Sequence, residues 1–202
     1  MKKIFSILCA IIFSLGLSAQ TQFGLEAGLN MSNITGSDWK DAFGHSTKMR
    51  PGIRIGPTAA FELSDEVTLK TGLIYSVKGW ESSMDIITTD IFGFILSTEE
   101  VDYSQSINYL EIPTNFSFSV SDQLFLMAGP YFGILLGGTT YVGDDSESTD
   151  MDGFRTIDTG LNLGAGFAAT ESLNINLGYQ LGLTSIDEDG DLDAKIQQFI
   201  LE

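Results

Sequence analysis

Residues 173–183 read Leu-Asn-Ile-Asn-Leu-Gly-Tyr-Gln-Leu-Gly-Leu, with an apolar residue at every odd position and a polar residue or glycine at every even one. Because successive side chains of a β-strand point to opposite faces, one face of such a strand is apolar and the other small and polar. A soluble barrel or sandwich buries its apolar face, whereas a membrane barrel turns that face towards lipid. The alternation recurs along the chain, so the sequence predicts one of these two all-β arrangements.

The first residues have the pattern of an export signal. Lys2 and Lys3 precede an apolar run over 4–17, and Leu17-Ser18-Ala19 is a small-residue cleavage motif. The run is shorter than the roughly 20 residues of a membrane-spanning helix. We therefore expect a signal peptide over 1–19 and a single domain over 20–202. Cys9 is the only cysteine, so this domain has no disulfide and no thiolate chemistry.

The chain is strongly acidic, with a formal charge of −17. Nucleic-acid binding needs a cationic surface, so we expect no nucleic-acid partner. The acidic residues cluster at 144–152 and 187–193, in segments that we place in loops. Charge is thus concentrated in parts of the chain that would lie outside a membrane.

Period-two segments predict eight strands, at about 22–31, 51–63, 67–79, 107–120, 124–137, 157–169, 173–183 and 195–202. Tight polar turns at 64–66, 121–123 and 170–172 alternate with long segments at 32–50, 80–106, 138–156 and 184–194. This alternation is typical of an eight-stranded antiparallel up-and-down transmembrane β-barrel of the outer membrane. A soluble lipocalin-like ligand binder is the alternative. The membrane barrel is favoured because the bulkier residues share the apolar face, while glycine collects on the face that would line a narrow lumen.

Several short motifs carry a family resemblance: Asn108-Tyr109-Leu110-Glu111-Ile112-Pro113, Gly72-Leu73-Ile74-Tyr75-Ser76-Val77-Lys78-Gly79, Ala128-Gly129-Pro130-Tyr131 and Gly164-Ala165-Gly166. In order and spacing they resemble the small outer-membrane β-barrels common in Bacteroidetes, described as PorT-like or as the outer membrane protein beta-barrel domain. The resemblance implies residence in the cell outer membrane, with outer-membrane lipids, lipopolysaccharide and the barrel assembly machinery as partners. It implies no particular activity.

Six charged residues have the parity of the inward face: Glu26, Arg54, Glu62, Lys70, Lys78 and Glu111. Three acids and three bases in a narrow lumen should pair, because an unpaired buried charge is very costly. They predict a lumen charge network that plugs the barrel, since eight strands leave room for little more than side chains. A narrow pore for transport, or a proton path, is the alternative.

Two loops hold residues that could carry chemistry. His45 lies beside Asp38, Asp41 and Ser46, but no Gly-x-Ser-x-Gly nucleophile motif exists, and we expect an exposed histidine and no catalysis. Asp187, Asp189, Asp191 and Asp193 resemble part of a calcium loop. Ile196 then falls at position twelve, where a bidentate glutamate is needed, so we expect solvated acids with at most weak divalent-cation binding and no cofactor.

The segment between the third and fourth predicted strands is apolar for a loop, most clearly at Ile91, Phe92, Phe94, Ile95 and Leu96. It could extend the two strands as a hairpin beyond the membrane, or form a site for a protein partner. The sequence therefore predicts a non-enzymatic outer-membrane barrel with a structural, adhesion or partner-binding role through its extracellular loops.

Overall fold

The structure, a computed structural model, describes residues 21–36, 47–89, 95–143, 145–149, 151–189 and 193–202. Ten strands lie in this described part: β1 (Thr21–Thr35), β2 (Lys48–Ser64), β3 (Val67–Gly72), β4 (Ile74–Thr89), β5 (Ile95–Ser119), β6 (Leu124–Val142), β7 (Asp145–Thr149), β8 (Ile157–Thr170), β9 (Leu173–Gly182) and β10 (Lys195–Leu201). Over the same residues, no helix is long and apolar enough to cross a membrane.

The strands close into one antiparallel ring of eight crossings. The ring closes where β1 pairs with β10, from Leu29 opposite Leu201 to Thr35 opposite Lys195. β3 and β4 form a single crossing that is interrupted at Leu73, and β7 pairs with the end of β6 beyond the ring. The predicted eight-stranded up-and-down barrel is confirmed.

The apolar faces of the strands point outward. Phe23 and Leu25 are 85% and 73% exposed, whereas Glu26 and Asn30 on the same strand are 7% and 1% exposed. The same alternation holds for β8 and β9, where Leu163 and Leu177 point out. Exposing such an apolar band to water would be strongly unfavourable because of the hydrophobic effect. The band therefore matches the lipid-facing surface of a membrane barrel. The lipocalin-like alternative, with its apolar face inside, is therefore wrong.

The two ends of the barrel differ. At one end, which we call the short-turn end, tight turns at 65–66, 120–123 and 171–172 join neighbouring strands. At the other, the long-loop end, β4 and β5 continue as a paired hairpin from Ile74 opposite Glu111 to Thr89 opposite Ile95. The third predicted strand thus ends too early, at 79, and the fourth begins too late, at 107. Polar outward residues end the apolar alternation at the membrane surface, although the backbone ladder continues beyond it.

Gly79 allows β4 to approach its neighbours closely where this hairpin leaves the ring. Its φ is +154°, and a Cβ there would lie 1.8 Å from the carbonyl oxygen of Gln105. Its N–H donates to the hydroxyl of Ser32 at 2.8 Å, and the same hydroxyl donates to its carbonyl at 2.9 Å. The adjacent residues Lys78 and Trp80 are consequently held inside the barrel, both at 2% exposure or less.

Candidate functional site

Lys78 lies in the middle of the lumen and is completely buried. Its ammonium is 2.7 Å from Glu111 and 2.9 Å from Asp158. It also lies 5.1 Å and 4.6 Å from the ring centres of Tyr109 and Tyr131, and the Tyr131 hydroxyl donates to Asp158 at 3.0 Å. A buried charge is tolerated only with such partners. Lys78 is therefore a fixed cation held between two acids and two aromatic rings.

Arg54 continues this network towards the short-turn end. Its guanidinium is 2.5 Å from Glu111 and 3.4 Å from Glu26, and Lys70 is 2.9 Å from the other oxygen of Glu26. Glu202 lies 4.0 Å from both Arg54 and Lys70. Cations and carboxylates alternate along this line, so each charge is neutralised by its neighbours.

Five of the six charged residues that sequence parity assigned to the lumen meet in this network, which is formed by Lys70, Glu26, Arg54, Glu111, Lys78 and Asp158 and is called the lumen charge network below. The expectation for Glu62 is wrong: it is exposed near the short-turn end and accepts a hydrogen bond from Gln22 at 3.0 Å. Glu62 has inward parity but lies beyond the filled layer. Asp158 and Glu202 were missed, although the even parity of Asp158 on β8 could have indicated it.

A chain of side-chain amides fills the lumen beside the charges. Asn30 donates to Gln198 at 2.7 Å, Gln198 to Gln180 at 2.6 Å, Gln180 to Asn162 at 3.0 Å and Asn162 to Asn115 at 3.0 Å. These residues come from β1, β10, β9, β8 and β5, so the chain ties opposite walls together. A cavity of about 20 Å³ remains next to it, which is room for about one water molecule.

Apolar side chains close the lumen on its long-loop side. They form one buried cluster in which each member is 7% exposed or less: Ile34, Trp80, Ile107, Tyr109, Ile186, Ala194 and Ile196. Phe154 and Leu135 pack against it. Because Ile186 and Ala194 belong to the segment between β9 and β10, the described parts of this segment lie over the mouth of the barrel.

Arg155 holds this segment in place through the backbone. It donates to the carbonyls of Ser185, Asp187 and Glu188 at 3.0, 3.1 and 3.0 Å, and its own N–H donates to Ile186 at 2.7 Å. A guanidinium supplies several donors in one plane, which suits three carbonyls of one turn. The cap over the lumen is thus fixed by packing and by hydrogen bonds.

The described aspartates of the possible calcium loop do not converge. Asp193 is 2.5 Å from Lys195, and Asp187 lies in the segment held by Arg155. Over the described residues, no group of three or more His, Cys, Asp and Glu side chains is placed to hold a metal ion. Asp191 lies outside the described residues.

The other loop candidates are only partly described. Ile95 and Leu96 begin β5 and are 65% and 66% exposed at the far end of the β4–β5 hairpin. Ile91, Phe92 and Phe94 lie outside the described residues. So do His45 and its neighbours at 38, 41 and 46. The hairpin extension foreseen for this segment is present up to Thr89 and from Ile95 onward.

A closed eight-stranded barrel with an apolar outer band and short turns at one end is the architecture of an outer-membrane protein. The sequence agrees, because the family model of the outer membrane protein beta-barrel domain matches residues 18–188. The chain belongs to this family and is a protein of the outer membrane.

Solved structures share the fold at low identity. The crystal structure of Neisserial surface protein A is similar with a TM-score of 0.51 and 13% identity, over 90% of this chain and 94% of that one. Ail, the attachment invasion locus protein of Yersinia pestis, has a TM-score of 0.41 and 14% identity over 89% of this chain and 93% of its own. The first likeness supports the fold, and the second is too weak to support more. No curated protein matches the chain significantly.

Proposed function

We propose that this protein is a closed, non-catalytic barrel that carries a rigid extracellular hairpin for contact with a protein partner at the cell surface. The observation that carries the proposal is the contrast between a filled lumen and long projecting strands. Ion pairs and amides occupy the lumen and an apolar cluster caps it, while β4, β5 and β6 run on past the apolar band. The role of a barrel built in this way is to hold its projecting strands and loops in position.

The filled lumen argues against the alternative of a narrow pore. Conduction needs a continuous water path, yet the centre is occupied by Lys78 with carboxylates 2.7 and 2.9 Å away. Opening a path there would separate the buried Lys78 ammonium from both of its carboxylates, at a cost of several kcal/mol. We therefore expect no unitary channel events in planar bilayers.

The tip of the β4–β5 hairpin is the proposed contact surface. Ile95 and Leu96 expose about two thirds of their surface, and the sequence just before them is also apolar. Exposed apolar clusters on soluble parts of proteins usually mark contact sites. The paired backbone of β4 and β5 would hold this surface away from the membrane, where a partner could reach it.

We further propose that residues 1–19 are a cleaved export signal and that the barrel assembly machinery inserts residues 20–202. The motif at 108–113 supports placing the chain with the PorT-like barrels of Bacteroidetes. Amino-terminal sequencing of protein from outer membranes should begin at Gln20. A start at Met1 would contradict the cleavage.

The contact surface can be tested by photo-crosslinking on intact cells. Benzoylphenylalanine at Leu96 should give one discrete adduct with a partner protein, and Ile95→Ser should weaken it by removing apolar contact area. The matched control is the same probe at Glu147, which is exposed on β7 at the same end of the barrel. Absence of an adduct at Leu96, or identical adducts at both positions, would overturn the proposed contact.

A further inference from the structure

Two cations stand apart from the rest of this acidic chain. Seven lysines and arginines fall in the described residues: Lys48, Arg50, Arg54, Lys70, Lys78, Arg155 and Lys195. Four of them form ion pairs, and Arg155 holds backbone carbonyls. Lys48 and Arg50 form no ion pair with any described carboxylate, and they lie two residues apart at the start of β2.

The Lys48 side chain lines a groove on the outer face of the projecting strands, and Arg50 contacts two of the residues that line it. The groove has a volume of about 280 Å³ and is lined by β2, β4, β5 and β6, with Lys48, Glu81, Asp102 and Tyr141 among its walls. We call it the outer groove. Arg50 lies at its edge, where its Nε donates to Ser104 at 3.0 Å and its guanidinium is 5.8 Å from the Tyr141 ring centre.

The height of the outer groove matches the headgroup layer of the membrane. On β6 the regular apolar alternation of the outer band ends at Leu136, which is 57% exposed, and Tyr141 follows five residues later, next to the exposed Val142. On β2 the alternation ends at Ile53, which is 51% exposed and three residues from Arg50, and the exposed Met49 lies beyond it. Three to five residues cover about 10 to 16 Å along a strand, which is roughly 8 to 12 Å of height at a strand tilt of about 40° and reaches past the acyl chains into the polar layer.

The chemistry of the walls indicates the kind of headgroup. Lysine and arginine are the side chains that bind phosphate groups. Glu81 and Asp102 would repel a bare anion but can accept hydrogen bonds from sugar hydroxyls, and the Ser83 hydroxyl already donates to Asp102 at 3.1 Å. The aromatic ring of Tyr141 offers a flat apolar face beside them. This mixture suits a ligand that carries both phosphate and hydroxyl groups.

We propose that the outer groove binds the phosphorylated sugar headgroup of a glycolipid in the outer leaflet. Lys48 and Arg50 neutralise the phosphate, Glu81 and Asp102 accept from the sugar, and the acyl chains lie along the apolar band below. This inference rests on the outer-membrane location and is independent of the partner contact proposed for the hairpin tip.

The test is a lipid titration of the full-length barrel in detergent, with bis-phosphorylated lipid A as the probe and native mass spectrometry as the readout. Lys48→Ala and Arg50→Ala should each weaken binding by about tenfold, the typical loss for a charge-assisted hydrogen bond. Lys195→Ala removes the same charge from a half-buried site outside the groove, where the lysine is paired with Asp193, and should change affinity by less than about twofold. A heat-induced gel shift confirms that each variant is folded, and Tyr141→Ser provides a further, uncharged probe of the groove.

Three results would overturn the proposal. Equal affinity of Lys48→Ala and Lys195→Ala would mean that the groove does not hold the phosphate. Equally tight binding of phosphatidylglycerol would mean that no sugar is recognised. Displacement of lipid A by millimolar inorganic phosphate would assign the site to free anions. None of these outcomes alters the crosslinking expected at Leu96, so the two proposals fail separately.

Discussion

Replacing Lys78 with methionine tests whether the lumen charge network is a fixed structural unit. Methionine is similar in length to the lysine side chain, so the substitution removes the charge with little change in packing volume. Lys78 is completely buried and serves two carboxylates. Its removal leaves Glu111 with Arg54 at 2.5 Å, but leaves Asp158 with only the Tyr131 hydroxyl among the partners described above.

The expected cost follows from that geometry. Breaking a buried ion pair by removing one partner typically destabilises a protein by about 3 to 5 kcal/mol, because a charge stays buried without compensation. The charge left behind is that of Asp158, so adding Asp158→Asn should recover about 2 kcal/mol, a coupling energy that contacting residues commonly show. Lys70→Met is the matched control. The Lys70 side chain is 26% exposed and Glu26 retains Arg54, so its loss should cost about 1 kcal/mol or less.

The free energy of unfolding can be measured by urea titration of the folded barrel in lipid vesicles. Tryptophan fluorescence is a suitable signal because Trp80 is buried in the apolar cap. The midpoint for Lys78→Met should fall while the slope stays constant, which identifies a change in stability and not in the surface exposed. Two results would refute the idea that Lys78 is held without water. One is that Lys78→Met lowers the free energy of unfolding no more than Lys70→Met does, and the other is that adding Asp158→Asn to Lys78→Met recovers none of it.

Two further substitutions probe the two faces of the wall. Gly160→Ala should destabilise the barrel by about 1 to 3 kcal/mol through overpacking, since its Cβ would lie 2.5 Å from the Tyr131 ring and 2.1 Å from the Leu181 carbonyl; Gly178→Ala, with its nearest atom at 3.5 Å, should be nearly neutral in the same urea titration. Leu163→Arg, on the outward face near the middle of β8, should cost about 2 to 4 kcal/mol of stability in lipid vesicles, whereas Leu173→Arg at the first residue of β9 should cost about 1 or less. Equal effects within either pair would contradict the assigned packing or the lipid-facing direction.

The strand faces could be predicted from the sequence wherever one face is polar. In β1 and β9 the alternation alone assigns Glu26 and Gln180 to the lumen and Leu25 and Leu177 to lipid, as the structure has them. The reason is that a shift of one residue would move every apolar side chain to the wrong face. Local pattern and global fold therefore carry the same information in these strands.

β6 shows where that information runs out. Residues 124–137 are apolar on both faces, and their phase could not be read from the sequence. In the structure Met127 and Tyr131 point inward while Leu126 and Phe132 point outward, and the pairing of Tyr131 with Gly160 accompanies that choice. Which face of β6 points inward therefore depends on Gly160, which is remote in sequence and has no side chain, so that it leaves room for the Tyr131 ring.

The position of the lumen charge network along the barrel axis also could not be predicted from the sequence. Parity gives the face of a residue but not the level at which the lumen is filled, so Glu62 was assigned to the network although it lies in water near the short-turn end. The height of Arg54 is set by its register with β1, where Gly28 lies opposite, and by the carboxylates of Glu26 and Glu111 that reach it. Register between strands is a property of the closed ring.

The ambiguous phase of β6 gives a physical reason for a polar lumen, although an apolar filling could be at least as stable. Buried ion pairs often add little net stability compared with well-packed apolar residues. In lipid, however, strands with two apolar faces would have no preferred inside, and β6 is already such a strand. The charges on β1, β2, β4, β5 and β8 remove this ambiguity, because Arg54, Lys78 and their carboxylates pair in the lumen, whereas the opposite choice of faces would place them in lipid. We infer that the lumen charge network mainly selects the fold. The loss of a single member should therefore impair assembly, measured as the heat-modifiable fraction in outer membranes, more than the loss of an outward leucine such as Leu163.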